Sequence, residues 1–75
     1  MQVNEYIVID PEICNGRPTI SGSRITVQTI LEFLAAGESI ESIMAEYPKL
    51  TAESIQACLQ FASELTSHEY SVYIR

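Results

Sequence analysis

Apolar residues recur with a helical period of about 3.6 residues through the second half of the chain. In the first such stretch they occupy positions i, i+3, i+4, i+7 and i+8, which form one stripe along a helix. These residues are Val27, Ile30, Leu31, Leu34 and Ala35. Thr26 fits the N-cap of this helix, and Thr29 with Glu32 also fits a capping box. Gly37 predicts the end of the helix, because glycine adopts the left-handed conformation readily.

Two further stretches repeat this period. The second follows Ser39, which predicts an N-cap, and ends at Pro48, which cannot continue a helix. Its stripe is Ile40, Ile43, Met44 and Tyr47. The third follows Thr51 and is expected to run to about Ser67. Its stripe is Ile55, Cys58, Leu59, Ala62 and Leu65, widened by Ala57 and Phe61. Three helices in this order predict a helix-turn-helix core over residues 26–67, although a generic three-helix bundle fits the same pattern.

The first 25 residues show strand and turn patterns instead. Residues 6–9 are β-branched and aromatic, which predicts a short strand. This strand is expected to pair with residues 18–20 of the same chain or with another subunit. Asn15-Gly16 favours a turn with positive φ, and Gly22 is expected to have a positive φ or a close backbone approach. The sequence therefore predicts a single, mostly α domain over residues 1–75, with a β-hairpin and turn segment at residues 6–25.

The last eight residues, 68–75, form an apolar tail in which a strand-like alternation is visible. We expect this tail to dock on its own domain, on a second copy or on a partner. A chain of 75 residues has a small core, so we predict a homodimer. The candidate interface residues are Tyr6, Ile7 and Val8 near the N-terminus and Tyr70, Val72, Tyr73 and Ile74 in the tail.

The charge of the chain is uneven and negative, with a formal net charge of −6. Residues 26–75 hold two basic residues and seven glutamates, which gives −5 of that total. Nucleic-acid binding draws its affinity from lysine and arginine on phosphates. The acidity therefore disfavours strong autonomous binding to nucleic acid and favours a basic protein partner.

The sequence offers little chemistry for catalysis, and we predict that the protein is not an enzyme. Its single histidine, His68, lies near the end of the chain, and Cys14 has Arg17 nearby but no histidine to activate it. Cys14 and Cys58 are expected to be free thiols in a reducing compartment. No metal, other cofactor or small-molecule substrate is predicted. Without a signal-like N-terminus or a spanning apolar run, the expected location is the cytoplasm, with no membrane partner.

A series of short motifs matches a known family in order and spacing. They are Ile9-Asp10-Pro11-Glu12-Ile13-Cys14, Gly16-Arg17-Pro18, Ile20, Gly22-Ser23-Arg24-Ile25, Leu34-Ala35-Ala36-Gly37-Glu38-Ser39, Tyr47-Pro48 and Leu50-Thr51. Over about residues 7–65 the chain resembles the bacterial domain-of-unknown-function 433 family, whose members look like VapB-type antitoxins. The chain departs from the family pattern at Asn15, usually Gly, at Ser23, usually Thr, and at Thr26, usually Pro.

This resemblance implies a homeodomain-like core and an antitoxin that binds and neutralises a PIN-domain-like ribonuclease. It also implies repression of the protein's own operon through operator DNA. The candidate DNA-binding residues are Arg17, Arg24, Ser54, Gln56 and Gln60. Arg24 has an alternative, structural role in the turn, and the third helix carries no Lys or Arg to anchor on phosphate. An interaction or assembly module that keeps the scaffold without binding DNA is therefore the second interpretation.

Overall fold

Residues 1–67 are described in a computed structural model of the chain. In chain order, the strands and α-helices are β1 (Ile7–Val8), β2 (Thr19–Ile20), α1 (Val27–Ala35), α2 (Ile40–Glu46) and α3 (Ala52–Leu65), and a single 3-10 turn at Cys14–Gly16 lies between the two strands. The predicted fold, three helices preceded by a short antiparallel hairpin, is confirmed. The predictions for the tail at residues 68–75 lie outside the described residues.

The first two helices begin at hydroxyl groups that cap a free backbone amide. The Thr29 N–H donates to Oγ1 of Thr26 at 3.1 Å, and the Ser42 N–H donates to Oγ of Ser39 at 3.0 Å. Each bond satisfies a donor in the first turn that has no partner within the helix. Thr26 is therefore the N-cap of α1, and the alternative start at Thr29 is wrong.

α3 begins with a reciprocal capping box. The Ser54 N–H donates to Oγ1 of Thr51 at 3.1 Å, and the Thr51 N–H donates to Oγ of Ser54 at 3.0 Å. The helix ends at Leu65, two residues before the predicted end. There the Thr66 hydroxyl donates to the carbonyl of Ala62 at 2.8 Å, and the backbone of Thr66 leaves the helical region.

β1 and β2 pair within the chain, with Ile7 opposite Ile20 and Val8 opposite Thr19. The other edge of β1 is covered by the first residues, where the Val3 N–H donates to the Ile7 carbonyl at 2.9 Å. The predicted strand at residues 6–9 thus finds its partners in the same chain, and the alternative of pairing with another subunit is not needed. An edge that is already hydrogen-bonded offers little to a second strand.

The other edge of β2 is covered by the segment that leads into α1. The Ile20 N–H donates to the Ile25 carbonyl at 2.9 Å, and the Val27 N–H donates to the Pro18 carbonyl at 2.9 Å. β2 therefore lies in the middle of a small antiparallel arrangement and fixes the position at which α1 starts.

The core lies where the three helices meet this small sheet. α1 and α2 both pack against α3. β1, which lies near the N-terminus in sequence, also packs against α3. The buried apolar residues are Ile7, Ile20, Val27, Ile30, Ile43, Leu50, Ile55 and Cys58. Burial of such side chains is the main source of stability for a domain of this size. None of the helices within residues 1–67 is long and apolar enough to cross a membrane.

Candidate functional site

An apolar groove runs between α1 and the C-terminal half of α3, and we call it the α1–α3 groove. Its volume is about 350 Å³. It is lined by Arg17, Pro18, Val27, Gln28, Leu31, Phe61, Ala62, Leu65 and Thr66. Most of this lining is hydrocarbon, which makes the groove suited to apolar side chains from another molecule.

The groove is apolar because the core does not cover every residue in the apolar stripes of α1 and α3. Val27 is buried in the core, whereas Leu31, one helical turn later on the same face, is only half-buried. On α3, Phe61 is half-buried and Leu65 is 58% exposed. The small side chain of Ala62 leaves space between α1 and α3.

One basic residue lines the groove, and one carboxylate lies beside its lining. Nε2 of Gln28, a lining residue, is 3.5 Å from Oε2 of Glu32. Arg17 lies at the groove with Pro18. Apolar side chains would match this lining, whereas the net charge of −6 on the whole chain acts at longer range and would attract a basic molecule.

A second, open groove lies on the turn segment, and we call it the Arg24–Lys49 groove. Its volume is about 540 Å³, and its lining residues are Val8, Ile13, Gly22, Ser23, Arg24 and Lys49. Arg17 lines the α1–α3 groove instead, so the two arginines among the candidate DNA-binding residues line different grooves. Lys49 is not among the residues predicted from the sequence, and its only signal was its place in the turn before α3.

The outward face of α3 differs from the prediction at one position. Gln56 and Gln60 are exposed and could reach another molecule. Ser54 is only 5% exposed, and its hydroxyl is engaged in the capping box with Thr51. Ser54 is therefore a structural residue, and its prediction as a DNA contact is wrong.

The candidate interface residues near the N-terminus differ in their exposure. Ile7 is 0% exposed and packs in the core of its own chain, so its prediction as an interface residue is wrong. Tyr6 and Val8 are half-buried and keep part of their surface accessible. The other candidates, Tyr70, Val72, Tyr73 and Ile74, lie outside the described residues.

The two cysteines are in different environments. Cys58 is fully buried on α3, and this burial raises its pKa from 9.0 to about 11. A thiol with a raised pKa is a poor nucleophile at neutral pH. Cys14 is half-buried, and its thiol donates to the carbonyl of Arg24 at 3.4 Å. Within residues 1–67, no three histidine, cysteine, aspartate or glutamate side chains are grouped to hold a metal ion.

Comparison with known proteins identifies the family. Residues 7–62 match the family described as "Protein of unknown function (DUF433)". An uncharacterized protein of Sinorhizobium fredii, y4eO, is 33% identical over 58 residues, which are 77% of this chain and 26% of that protein. The crystal structure of a DUF433 member from Anabaena variabilis superposes with a TM-score of 0.73 and 33% identity, over 81% of this chain and 59% of that one. The chain thus spans less than two thirds of either relative, and it belongs to the DUF433 family.

Proposed function

We propose that this protein is an antitoxin-like regulator that binds and neutralises a basic PIN-domain-like ribonuclease and represses its own operon. The observation that carries the proposal is the α1–α3 groove, an apolar site on the surface of a chain with a net charge of −6. A partner segment with apolar side chains would be desolvated in the groove, against the large apolar side chains of Leu31, Phe61 and Leu65.

Charge supports a basic partner in particular. A ribonuclease binds a polyanionic substrate, so its active-site surface is expected to be basic. The acidic chain would attract that surface, and Glu32, whose carboxylate lies beside Gln28 of the groove, would meet one of its lysines or arginines. Occupation of the basic surface by this protein would exclude RNA and thereby inhibit the enzyme.

A second candidate function is an interaction or assembly module that never contacts DNA. The observation that favours it is the composition of α3, which exposes Gln56 and Gln60 but contains no Lys or Arg. Glutamine can bind an adenine edge, yet it cannot neutralise phosphate. The two candidates share the α1–α3 groove and differ in whether DNA binds elsewhere on the domain.

The groove can be tested with two leucines on the same helix. Leu65 lines the groove and is 58% exposed, whereas Leu59 is 45% exposed and lies outside it. If a neighbouring gene encodes a PIN-like ribonuclease, we expect Leu65→Gln to weaken binding of that enzyme by roughly tenfold, the effect of losing one buried leucine contact. Leu59→Gln is the matched control and should bind as the native protein does.

The measurement is isothermal titration calorimetry of the two proteins, together with an assay of RNA cleavage by the ribonuclease. Equal affinity for the Leu65→Gln and Leu59→Gln variants would show that the groove is not the binding site. A neighbouring gene that does not encode a nuclease, with no inhibition of any PIN-like enzyme of the host, would contradict the antitoxin assignment itself.

A further inference from the structure

Two basic side chains converge on the Arg24–Lys49 groove from distant parts of the sequence. Arg24 precedes the N-cap of α1, and Lys49 lies in the turn between α2 and α3. Both side chains are exposed. The other lining residues, Val8, Ile13, Gly22 and Ser23, are uncharged. The whole chain has only four lysines and arginines, so two of them together form a locally positive surface on an acidic domain.

We propose that the Arg24–Lys49 groove binds the phosphodiester backbone of duplex DNA, with Arg24 and Lys49 each on one phosphate. The inference deepens the DNA-binding half of the proposed function and rests on it. Lys49 takes the place of Arg17 beside Arg24, because the structure places Arg17 at the α1–α3 groove. The DNA would therefore lie against the turns of the domain and the first turns of α3.

The shape of the groove favours a long polyanion over a small phosphorylated molecule. Sites for small molecules enclose most of the ligand, whereas both cations here are exposed at an open surface. Duplex DNA presents a negative charge about every 1.7 Å along its axis, so two separated cations can each find a phosphate. The uncharged lining residues neither repel a phosphate nor compete for the two cations.

Hydrogen bonds of Ser23 fix the backbone that carries Arg24. The Ser23 hydroxyl donates to the Ile20 carbonyl at 2.7 Å and accepts from the Ile25 N–H at 3.1 Å, which fixes the backbone on both sides of Arg24. Lys49 is two residues before Thr51, the N-cap of α3. Phosphate contacts at this point would set the orientation of α3 on the duplex, where Gln56 could then reach a base edge.

The test is fluorescence anisotropy with a labelled duplex taken from the region upstream of the gene, at several concentrations of KCl. Each phosphate contact contributes about 0.9 to the slope of log affinity against log salt. We expect the double variant R24Q/K49Q to lower affinity and to flatten this slope by about 1.8, whereas R24K/K49R should keep the native slope. Arg17→Gln is the matched control for loss of a positive charge, and it should leave the slope unchanged.

Amide chemical shifts measured by NMR on addition of the same duplex locate the contact directly. Shifts at residues 22–24 and 49 would support the inference. Shifts confined to Gln56, Gln60 and their neighbours would overturn it, as would equal flattening of the salt dependence by Arg17→Gln and R24Q/K49Q. Inorganic phosphate that shifts these amides where the duplex does not would also overturn it, because the site would then be one for a small anion.

The same variants separate this inference from the proposed protein partner. If R24Q/K49Q binds the ribonuclease normally and the native protein shows no contact with DNA at this groove, the inference fails and the partner-binding function stands. If DNA binds as expected and no ribonuclease binds, the antitoxin assignment fails and the groove assignment stands.

Discussion

At the scale of single residues, Gly22 illustrates a position fixed by its backbone alone. Its φ is +80°, and a Cβ built on it would meet no atom within 4 Å. The predicted positive φ is confirmed, and the alternative of a close backbone approach is wrong. The requirement for glycine therefore comes from the left-handed conformation, which costs β-branched residues most.

We expect Gly22→Val to lower the free energy of unfolding by about 1–3 kcal/mol, through backbone strain and not through a clash. Gly22→Asn is the matched control, because asparagine tolerates the left-handed region, and it should cost much less. Urea denaturation of the three proteins measures both effects. A Gly22→Val variant as stable as the native protein would refute the assignment.

The buried thiol of Cys58 makes a second prediction, which concerns alkaline pH. Because burial raises the pKa to about 11 from 9.0, the fold favours the neutral thiol. The free energy of unfolding is therefore highest below pH 9, where the Cys58 thiol is protonated in both the folded and the unfolded chain. It falls as the pH rises from 9 to about 11, because the unfolded chain loses this proton first. The expected loss is about 2–3 kcal/mol.

Stability at several pH values between 8 and 12 tests this point. Tyrosine and lysine titrate in the same range, so the comparison is with Cys58→Ala, which should be less stable at neutral pH but should lose less stability over this window. Parallel curves for the native protein and the variant would contradict the prediction.

The turn around Asn15 shows how far the sequence can specify a backbone. Asn15 and Gly16 have φ of 57° and 80°, as the Asn-Gly pair predicts. Cys14 also has a positive φ, 50°, which its residue type does not indicate. The backbone bond from the Gly16 N–H to the Ile13 carbonyl and the bond from the Arg17 N–H to the Cys14 carbonyl close this turn. Such a conformation depends on the assembled loop and cannot be inferred from Cys14 itself.

At the scale of elements, the helix starts were predictable and one helix surface was not. Thr26, Ser39 and Thr51 precede apolar stripes, so local chemistry marks each N-cap. The sequence analysis predicts Ser54 as a DNA contact, yet Ser54 is at the third position of α3 and its hydroxyl accepts from the Thr51 N–H. The pattern of polar residues in the sequence does not distinguish a polar side chain that faces solvent from one that caps the end of a helix.

The capping box of α3 gives a prediction for the stability of this helix. Thr51→Ala and Ser54→Ala should each lower the free energy of unfolding by about 0.5–2 kcal/mol, because each leaves a backbone amide without its acceptor. The double variant should lose less than the sum, since the two residues act as one unit. Ser63→Ala, at an exposed position of α3, is the control and should be nearly neutral. Strictly additive losses in urea denaturation would argue against a reciprocal box.

Both grooves show what the sequence could not predict at this scale. Pro18 and Phe61 line one groove, and Val8 and Lys49 line the other, although each pair is more than 40 positions apart. Periodicity locates the apolar face of one helix but not the neighbour that covers it. The half-buried Leu31 and the exposed Leu65 look like core residues in the sequence, and only the packing of α1 on α3 shows that they line a groove.

At the scale of the whole molecule, we expect a homodimer. Within residues 1–67 the core contains eight buried apolar residues, which is little for an independent domain, so burial of further surface against a second copy would stabilise the fold. Light scattering at micromolar concentration measures the mass directly. The edges of β1 are already paired within the chain, so Ile7→Val should not change this mass. A monomer at all accessible concentrations would contradict the prediction.

The packing of β1 against α3 has a consequence for the synthesis of the protein on the ribosome. Ala52, the first residue of α3, follows Val8 by 44 positions. At a translation rate of roughly 5–20 residues per second, β1 is synthesised about 2–9 s before the first residue of α3. During that time Ile7 cannot be buried, because the helix that covers it has not been made. Nascent chains stalled before residue 52 should therefore remain sensitive to protease, and protection should appear only when α3 has left the ribosome.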